Sequence, residues 1–295
     1  MKVRNVLAYA QAAGAAVLWG TVGVAGALAR PAVSPFVWAW ARLSLRGGMF
    51  LAVVVGPRRL SRVARTLGGS GVAHAAFFMA VFQGSFFVAA TDLGAGPATM
   101  ISVAAAPAVS LLGARRHRQA SSPTRPVCGL ALATAVVSLL VVSVGVPGLC
   151  GASWAIASGA AYAGFAGAVA SCDTHPQDGL AAVVIALLGG ALVVTPVAAP
   201  QIAQLCSLRN VLLGAYLGLV ATALAYAWFA AALAILGRTI VLATLVGQPV
   251  AATLLACQLL GRPVGWRTVV ALAIAGLSSA WLAISGRPRP DLHLF

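Results

Sequence analysis

The chain has 295 residues, of which 61% are hydrophobic and only 8% are charged. A soluble domain carries about 25% charged residues, so this composition excludes an ordinary globular protein and indicates one that lies in a bilayer. The net charge of +15 does not indicate binding to nucleic acid, because the basic residues separate apolar runs and do not gather in one stripe.

Acidic residues are scarce, since the chain has four Asp and no Glu. Acid–base and metal chemistry need clustered carboxylates or histidines, so the sequence argues against an enzyme, and no cofactor is expected. The five Cys include no CxxC pair, which predicts neither a disulfide framework nor a zinc site. Cys172, Asp173, His175 and Asp178 lie close together in the sequence but match no zinc spacing, and we expect no metal there.

Ten apolar segments appear when the chain is divided at its Arg, Pro, Asp and Gly clusters. A helix needs about 20 apolar residues to cross the hydrocarbon core. The predicted spans are 6–29, 33–55, 71–93, 97–113, 126–146, 150–170, 180–199, 210–236, 239–260 and 267–285. The sequence therefore predicts an all-α integral membrane protein with ten transmembrane helices. The first segment has the features of a signal peptide, but the equally apolar segments that follow favour an uncleaved helix.

Basic residues predict the orientation of these spans. With the N-terminus inside, 13 Lys and Arg lie in cytoplasmic segments and 4 on the opposite side, while Arg42 and Arg46 lie within the second span. Short cytoplasmic loops retain Lys and Arg, so both termini are expected in the cytoplasm. The Arg, Ala and Gly content suggests a high-GC coding bias. We expect a multi-pass protein of a bacterial inner (plasma) membrane.

Internal repetition predicts two halves. The segment from Gly23 to Ala29 recurs from Gly164 to Ala170 with five identities in seven at an offset of 141, and Phe87, Pro107, Leu112 and Arg125 meet identical residues at an offset of 142. Many carriers are built from two such repeats. We assign residues 1–146 to a first five-span repeat and 147–295 to a second. Five is an odd number, so the two repeats would be inverted in the membrane.

Several short motifs carry a family resemblance. They are Leu18-Trp19-Gly20-Thr21, Ala41-Arg42-Leu43, Phe82-Gln83 with Phe86-Phe87, Ala106-Pro107, and Ala243-Thr244-Leu245 followed by Gln248-Pro249. With its span count, the chain resembles the EamA-type family of the drug/metabolite transporter superfamily along nearly its whole length. The resemblance implies ten spans as two five-span EamA-like repeats and transport of small metabolites such as amino acids.

Two positions depart from the family pattern. Gln248 stands where a Glu usually precedes the proline of span nine, and Gly261-Arg262 stands where Gly-Glu is common. Both changes remove a carboxylate, so we expect neither coupling through those acids nor a carboxylate proton relay. Facilitated exchange, or proton coupling through another group, is expected instead.

Arg42 and Arg46 are basic residues within a predicted membrane span, where a charged side chain needs a specific role. A charge at the bilayer centre costs about 2.5 to 3.5 kcal/mol on insertion scales, and no acid lies near the middle of any predicted span. One interpretation is that Arg42 binds a substrate carboxylate or phosphate with its guanidinium fork. The other is that Arg42 bonds to backbone carbonyls while Arg46 extends to head groups.

Other polar and aromatic residues are candidates for the same site. Gln83 and Gln248 act either as interhelical hydrogen-bonding groups or as cavity groups, and Phe86 and Thr244 lie within a turn of them. Trp19, Tyr162, Tyr226 and Trp228 are further candidates for cavity walls, and Thr21 is a further candidate for substrate binding. Pro107 and Pro249 each remove a helix hydrogen bond and predict kinks in spans four and nine.

We therefore expect a secondary transporter that moves small organic metabolites by alternating access, with an anionic substrate as one option. Its expected partners are a small-molecule substrate and membrane lipids, with a homodimer left open and no nucleic acid. ATP hydrolysis is not expected, because the chain has no GxxxxGK[ST] loop. The alternatives are a membrane scaffold or assembly protein that transports nothing and, less favoured, an integral membrane enzyme.

Overall fold

A computed structural model describes residues 2–29, 32–44, 47–116, 148–170, 176–236, 241, 244–245 and 247–285. Helices dominate these residues, and no strand occurs among them. This is the all-α class that the composition predicts for a chain in which lipid cannot satisfy backbone hydrogen bonds.

Eleven α-helices are described. They are α1 (Lys2–Ala27), α2 (Pro35–Leu43), α3 (Gly48–Val55), α4 (Pro57–Leu93), α5 (Ala95–Arg116), α6 (Leu149–Ala170), α7 (Pro176–Ala198), α8 (Leu208–Ala215), α9 (Ala225–Leu236), α10 (Gly247–Leu260) and α11 (Trp266–Ser285). A 3₁₀ segment, Ala199–Leu205, follows α7, and a π-helical segment, Tyr216–Leu224, joins α8 to α9.

These helices occupy nine of the ten predicted spans, and the predicted span 126–146 lies outside the described residues. By length and composition, five helical stretches of the described part are long and apolar enough to cross a membrane: Val3–Ala27, Pro35–Val55, Pro57–Leu93, Asp178–Leu205 and Leu208–Leu236. Ala95–Ala106 and Gly247–Leu260 are shorter apolar helices.

The second predicted span is not one continuous helix. It is divided into α2 and α3, since Ser44 leaves the helical conformation with φ −81° and ψ −124°. Further along, Gly56 and Gly68 have φ of 85° and 67°. Both values lie in the left-handed region that glycine adopts most readily, so the chain turns before α4 and again within it.

Two helices pack against matching sets of neighbours. Helix α1 packs against α9 and α10, while α6 packs against α4 and α5. A Cβ atom at Gly20 would lie 2.8 Å from the Ala251 Cβ, and a Cβ at Gly159 would lie 2.7 Å from the Ala105 Cβ. Glycine is required at both crossings because the facing backbone leaves no room for a side chain.

Apolar residues form both the core between the helices and much of the outer surface. Small residues dominate the core, with Leu43, Leu51, Met79 and Leu217 among its largest buried side chains. Large apolar side chains remain exposed on the outside, including Val53, Leu192, Leu208 and Leu277. Such a surface is stable in hydrocarbon and aggregates in water.

Candidate functional site: a buried arginine between a broken helix and a π segment

Arg42 lies in the last turn of α2 and is almost completely buried. Its Nε donates a hydrogen bond to Thr222 Oγ1 at 2.8 Å, and its Nη1 donates to Gln83 Oε1 at 2.8 Å. A longer bond of 3.4 Å runs from Nη2 to the Ala221 carbonyl. The guanidinium therefore joins α2, α4 and the π-helical segment.

All three acceptors around Arg42 are neutral oxygens. Among the described acids, Asp92 lies near the end of α4, and Asp178 lies in the first turn of α7, where its carboxylate is 3.8 Å from Arg59. The position of Arg42 near the end of α2 places the cation close to the negative end of the helix dipole, which offsets part of its burial cost. Its positive charge still has no ionic partner within the described part of the chain.

Thr222 is fixed by the geometry of the π-helical segment. Its Oγ1 donates to the Leu217 carbonyl five residues earlier at 2.8 Å while it accepts from Arg42. The widened turn of a π-helix allows such a spacing, and π-helical turns are frequent at functional sites. Both hydrogen-bonding roles of this hydroxyl are thus occupied.

The break between α2 and α3 lies against the same π-helical segment. A Cβ at Gly47 would lie 2.6 Å from the Arg42 carbonyl oxygen and 3.1 Å from that of Gly218. Only glycine permits this approach of two backbones. An interrupted helix, an irregular helix and a buried cation therefore meet at one place in the fold.

Gln83 is fully buried on α4 and completes the polar cluster. Its Oε1 accepts from Arg42, and its Nε2 lies 3.9 Å from the Met79 sulfur, a weak acceptor. The arginine cluster is defined here as Arg42, Gln83 and Thr222. The sequence analysis named the first two as candidates, and the structure brings them into direct contact.

Aromatic side chains lie beside the arginine cluster. Trp19 and Tyr226 meet edge to face with ring centroids 5.1 Å apart, and Trp19 also contacts Phe229 at 5.3 Å. Tyr226 is buried and follows Thr222 by four residues, about one helical turn. Two of the predicted cavity walls thus lie together, and one of them is a turn away from the arginine cluster.

Two buried indole N–H groups near this region have no hydrogen-bond partner among the described residues. They belong to Trp19 and to Trp38, which precedes Arg42 by one turn on α2. A buried donor that is left unsatisfied costs about 1 to 3 kcal/mol. Each of these two N–H groups could therefore donate a hydrogen bond to an additional partner.

Thr21 forms a second link between α1 and the π-helical segment. Its hydroxyl donates to the Leu18 carbonyl at 2.6 Å, so the 2.5 Å contact with Tyr216 has the tyrosine hydroxyl as donor. Thr21 therefore acts in helix packing here.

Phe86 and Tyr162 each pack against another aromatic ring. Phe86 is buried and contacts Phe87 at 5.7 Å, whereas Tyr162 on α6 meets Phe82 edge to face at 5.1 Å. Neither residue is part of the arginine cluster as defined above.

Thr244 and Gln248 lie at the beginning of α10. The Thr244 hydroxyl donates to the Val241 carbonyl at 2.7 Å, and the Gln248 backbone faces Gly20. Pro249 is in the first turn of α10, where a backbone N–H would have no intrahelical partner in any case. It therefore begins a helix in this structure.

Pro107 has helical backbone within α5, and its side chain lies outside the described part of the chain. Arg46 as a whole lies outside the described residues.

An apolar cavity is located elsewhere. It has a volume of about 560 Å³ between α4, α5 and α6, and its lining includes Phe78, Val81, Ala161 and Gly164. None of the sequence-predicted site residues lines it. Arg42, Gln83 and Thr222 are all buried, so the arginine cluster is closed to solvent in this structure.

The predicted absence of a metal site concerns residues that are mostly not described. Cys172, Asp173 and His175 lie outside the described residues, and Asp178 is engaged near Arg59. The described residues contain no group of three or more His, Cys, Asp or Glu placed to hold a metal ion.

Sequence reasoning missed Thr222, Ala221 and Tyr216. A threonine in an apolar helix is too common to stand out, and nothing in the composition of Tyr216–Leu224 predicts a π-helix. The one available signal was spacing, since Thr222 precedes Tyr226 by one helical turn.

The chain is similar to a named bacterial protein in sequence and to solved structures in fold. No protein-family model matches the chain. The protein named uncharacterized transporter YwfM of Bacillus subtilis (strain 168) is 29% identical over 282 residues, covering 93% of this chain and 92% of that protein. A solved crystal structure matches with a TM-score of 0.61 at 16% identity over 98% of this chain and 99% of that one. At that identity the likeness shows the fold alone.

Proposed function

We propose that this protein is a secondary transporter of small organic solutes, of the EamA type within the drug/metabolite transporter superfamily. The observation that carries the proposal is the arginine cluster, where a buried cation lies between the interrupted α2–α3 helix and the π-helical segment. In transporters, substrate sites are formed near the membrane midplane by helices that are interrupted in this way.

The acceptors around Arg42 support an anionic substrate. A guanidinium forms its strongest hydrogen bonds with carboxylate or phosphate, which it can hold through two parallel bonds. Here its acceptors are the neutral oxygens of Gln83, Thr222 and Ala221. A substrate carboxylate would replace one or two of these and supply the missing negative charge, and the free indole N–H of Trp19 or Trp38 would add a donor.

The matched packing of α1 and α6 supports two inverted five-span repeats, the first over residues 1–146 and the second over 147–295. The glycine crossings at Gly20 and Gly159 place the same steric requirement in each proposed half. Inverted repeats provide alternating access, because exchanging the conformations of the two halves opens the site to the other side. In this proposal the structure is a closed state.

The relative in Bacillus subtilis supports transport as the general role, since its printed name is that of a transporter and it matches nearly the whole chain. We infer a bacterial inner-membrane location with both termini in the cytoplasm from the distribution of Lys and Arg.

Flux into liposomes tests the proposal. The purified protein is reconstituted, and uptake of labelled amino acids, amines and organic acids is measured against protein-free liposomes. We expect saturable uptake of solutes that carry a carboxylate. Uptake of none of these solutes by a monodisperse, thermally stable preparation would contradict transport and favour the scaffold alternative.

A further inference from the structure

The chain carries a basic helix at one end of its apolar region. The first part of α4, residues 57–67, is bounded by the left-handed glycines Gly56 and Gly68. Its sequence places apolar residues at Leu60, Val63 and Leu67, with Arg58 and Arg59 before them and Arg62 and Arg65 between them. The segment is therefore an amphipathic helix that is set apart from the transmembrane part of α4 by a turn.

The apolar face of this helix is already occupied by protein. Val63 is buried against Ala181 and Ala182 of α7, and Leu60 and Leu67 pack around them. Arg59 lies 3.8 Å from Asp178 at the beginning of α7. The Asp178 carboxylate is buried and the Arg59 guanidinium is partly exposed, so this ion pair and the apolar packing together hold the helix against α7.

The opposite face presents the arginines outward. Arg58, Arg62 and Arg65 are exposed and recur at intervals of four and three residues, which places them on one side of the helix. Arg59 is partly exposed beside them. The described acid in contact with this group is Asp178, so the face keeps a strong positive charge.

A cavity of about 380 Å³, open on its outer side, adjoins these arginines. Its lining consists of Val55, Gly56, Pro57, Arg58, Arg59 and Arg62. Arg65 is not part of the lining. The lining therefore combines the apolar end of α3 and its connection to α4 with three arginines.

The helix that leads to the cavity has an apolar outer surface. On α3, Val53 is 80% exposed and Val54 is 62% exposed, a degree of exposure that indicates contact with acyl chains in a protein that spans a membrane. The apolar surface ends within one turn of the first arginine. An amphiphile whose acyl chains lie along α3 would place its head group in the cavity.

We propose that this cavity binds the phosphate of an anionic phospholipid through Arg58, Arg59 and Arg62. A phosphodiester accepts two parallel hydrogen bonds from a guanidinium, and the positive face attracts anionic lipid over zwitterionic lipid. This inference requires that the chain lies in a bilayer, and it does not depend on transport or on the arginine cluster.

Native mass spectrometry of the purified full-length protein tests the proposal, with phosphatidylglycerol and phosphatidylcholine as separate probes. We expect the wild-type protein to bind phosphatidylglycerol more tightly than phosphatidylcholine. Arg62→Gln should weaken phosphatidylglycerol binding about five-fold, the equivalent of about 1 kcal/mol per basic residue at an anionic surface. Arg65→Gln is the matched control, since it removes one charge from the same helix outside the cavity, and its effect should be smaller.

Three results would overturn the proposal. The first is equal binding of the two lipids by the wild-type protein, and the second is an equal loss of phosphatidylglycerol binding in Arg62→Gln and Arg65→Gln, which would mean attraction by charge alone. The third is displacement of the bound lipid by inorganic phosphate, which would make the cavity a site for free anions. If Arg62→Gln is not monodisperse, Arg62→Lys takes its place, because it keeps the charge and loses the fork; unchanged binding in that variant would also contradict the proposal.

Discussion

Arg42 and Thr222 are joined by a hydrogen bond of 2.8 Å that connects the last turn of α2 to the π-helical segment. The same threonine hydroxyl donates to the Leu217 carbonyl within that segment. The bond to the cation and the irregular geometry of the helix are therefore linked through one oxygen atom. A ligand that drew Arg42 away would leave Thr222 without its donor and would alter the environment of the π turn.

The first prediction concerns Thr222 itself. Thr222→Val keeps the shape of the side chain but removes both hydrogen bonds, so it should lower the stability of the protein in detergent by about 1 to 3 kcal/mol, the usual cost of leaving a buried group unsatisfied. Thermal unfolding measures the change. Thr222→Ser keeps the hydroxyl and should lie much closer to wild type; equal losses in both variants would show that the methyl group and not the hydroxyl matters.

The second prediction concerns the glycine crossings. Gly159→Ala would place a methyl group against Ala105 at 2.7 Å and should destabilise the protein by about 1 to 3 kcal/mol through overpacking. Gly167→Ala on the same helix has nothing within 4 Å of the new Cβ. It should be neutral or slightly stabilising, because alanine favours the helix. The pair is compared by thermal unfolding, and equal effects would contradict the close crossing of α5 and α6.

The third prediction concerns the link between α1 and the π-helical segment. Tyr216→Phe removes the hydroxyl that donates to Thr21, while Thr21 keeps its own bond to the Leu18 carbonyl. The loss should be about 0.5 to 1.5 kcal/mol, the net value of one hydrogen bond. A double-mutant cycle with Thr21→Val isolates the pair, and a coupling energy near zero would show that the contact adds nothing to stability.

The fourth prediction concerns coupling. The two described acids lie near helix ends, so we expect substrate movement without a stoichiometric proton flux through a carboxylate relay. A pH-sensitive dye inside the liposomes reports the proton flux while labelled substrate reports transport. Acidification in fixed proportion to uptake would contradict this expectation.

The sequence predicts the helical class and the approximate spans because bilayer thickness imposes a length on apolar helices. It does not predict the interruption at Ser44 or the π turn after Ala215, since both depend on packing between distant segments. The identities between Gly23–Ala29 and Gly164–Ala170 pair residues of the two proposed halves at an offset of 141. The two close helix crossings instead pair Gly20 with Gly159 and Ala105 with Ala251, which are at other offsets. Because Ala and Gly are so frequent, sequence identity does not fix how the two halves align, whereas the steric contacts do.

The candidate site likewise contains residues that the sequence predicts and one that it does not. Arg42 and Gln83 stand out in the sequence because a charge and an amide are expensive in hydrocarbon. Their direct hydrogen bond depends on how α2 and α4 are placed, which no local pattern records. Thr222 is invisible in the sequence for the opposite reason, since a threonine in an apolar helix satisfies its own hydroxyl at little cost.

The central claim is that Arg42 is kept at membrane depth to bind the anionic group of a substrate. The direct measurement is uptake of carboxylate solutes by liposomes that contain wild-type protein or Arg42→Gln, after thermal unfolding has shown that the variant is folded. A charge-assisted hydrogen bond contributes about 1.5 to 3 kcal/mol, so uptake at limiting substrate should fall about ten-fold or more. Unchanged uptake of these solutes by folded Arg42→Gln would contradict the claim and assign Arg42 to helix packing.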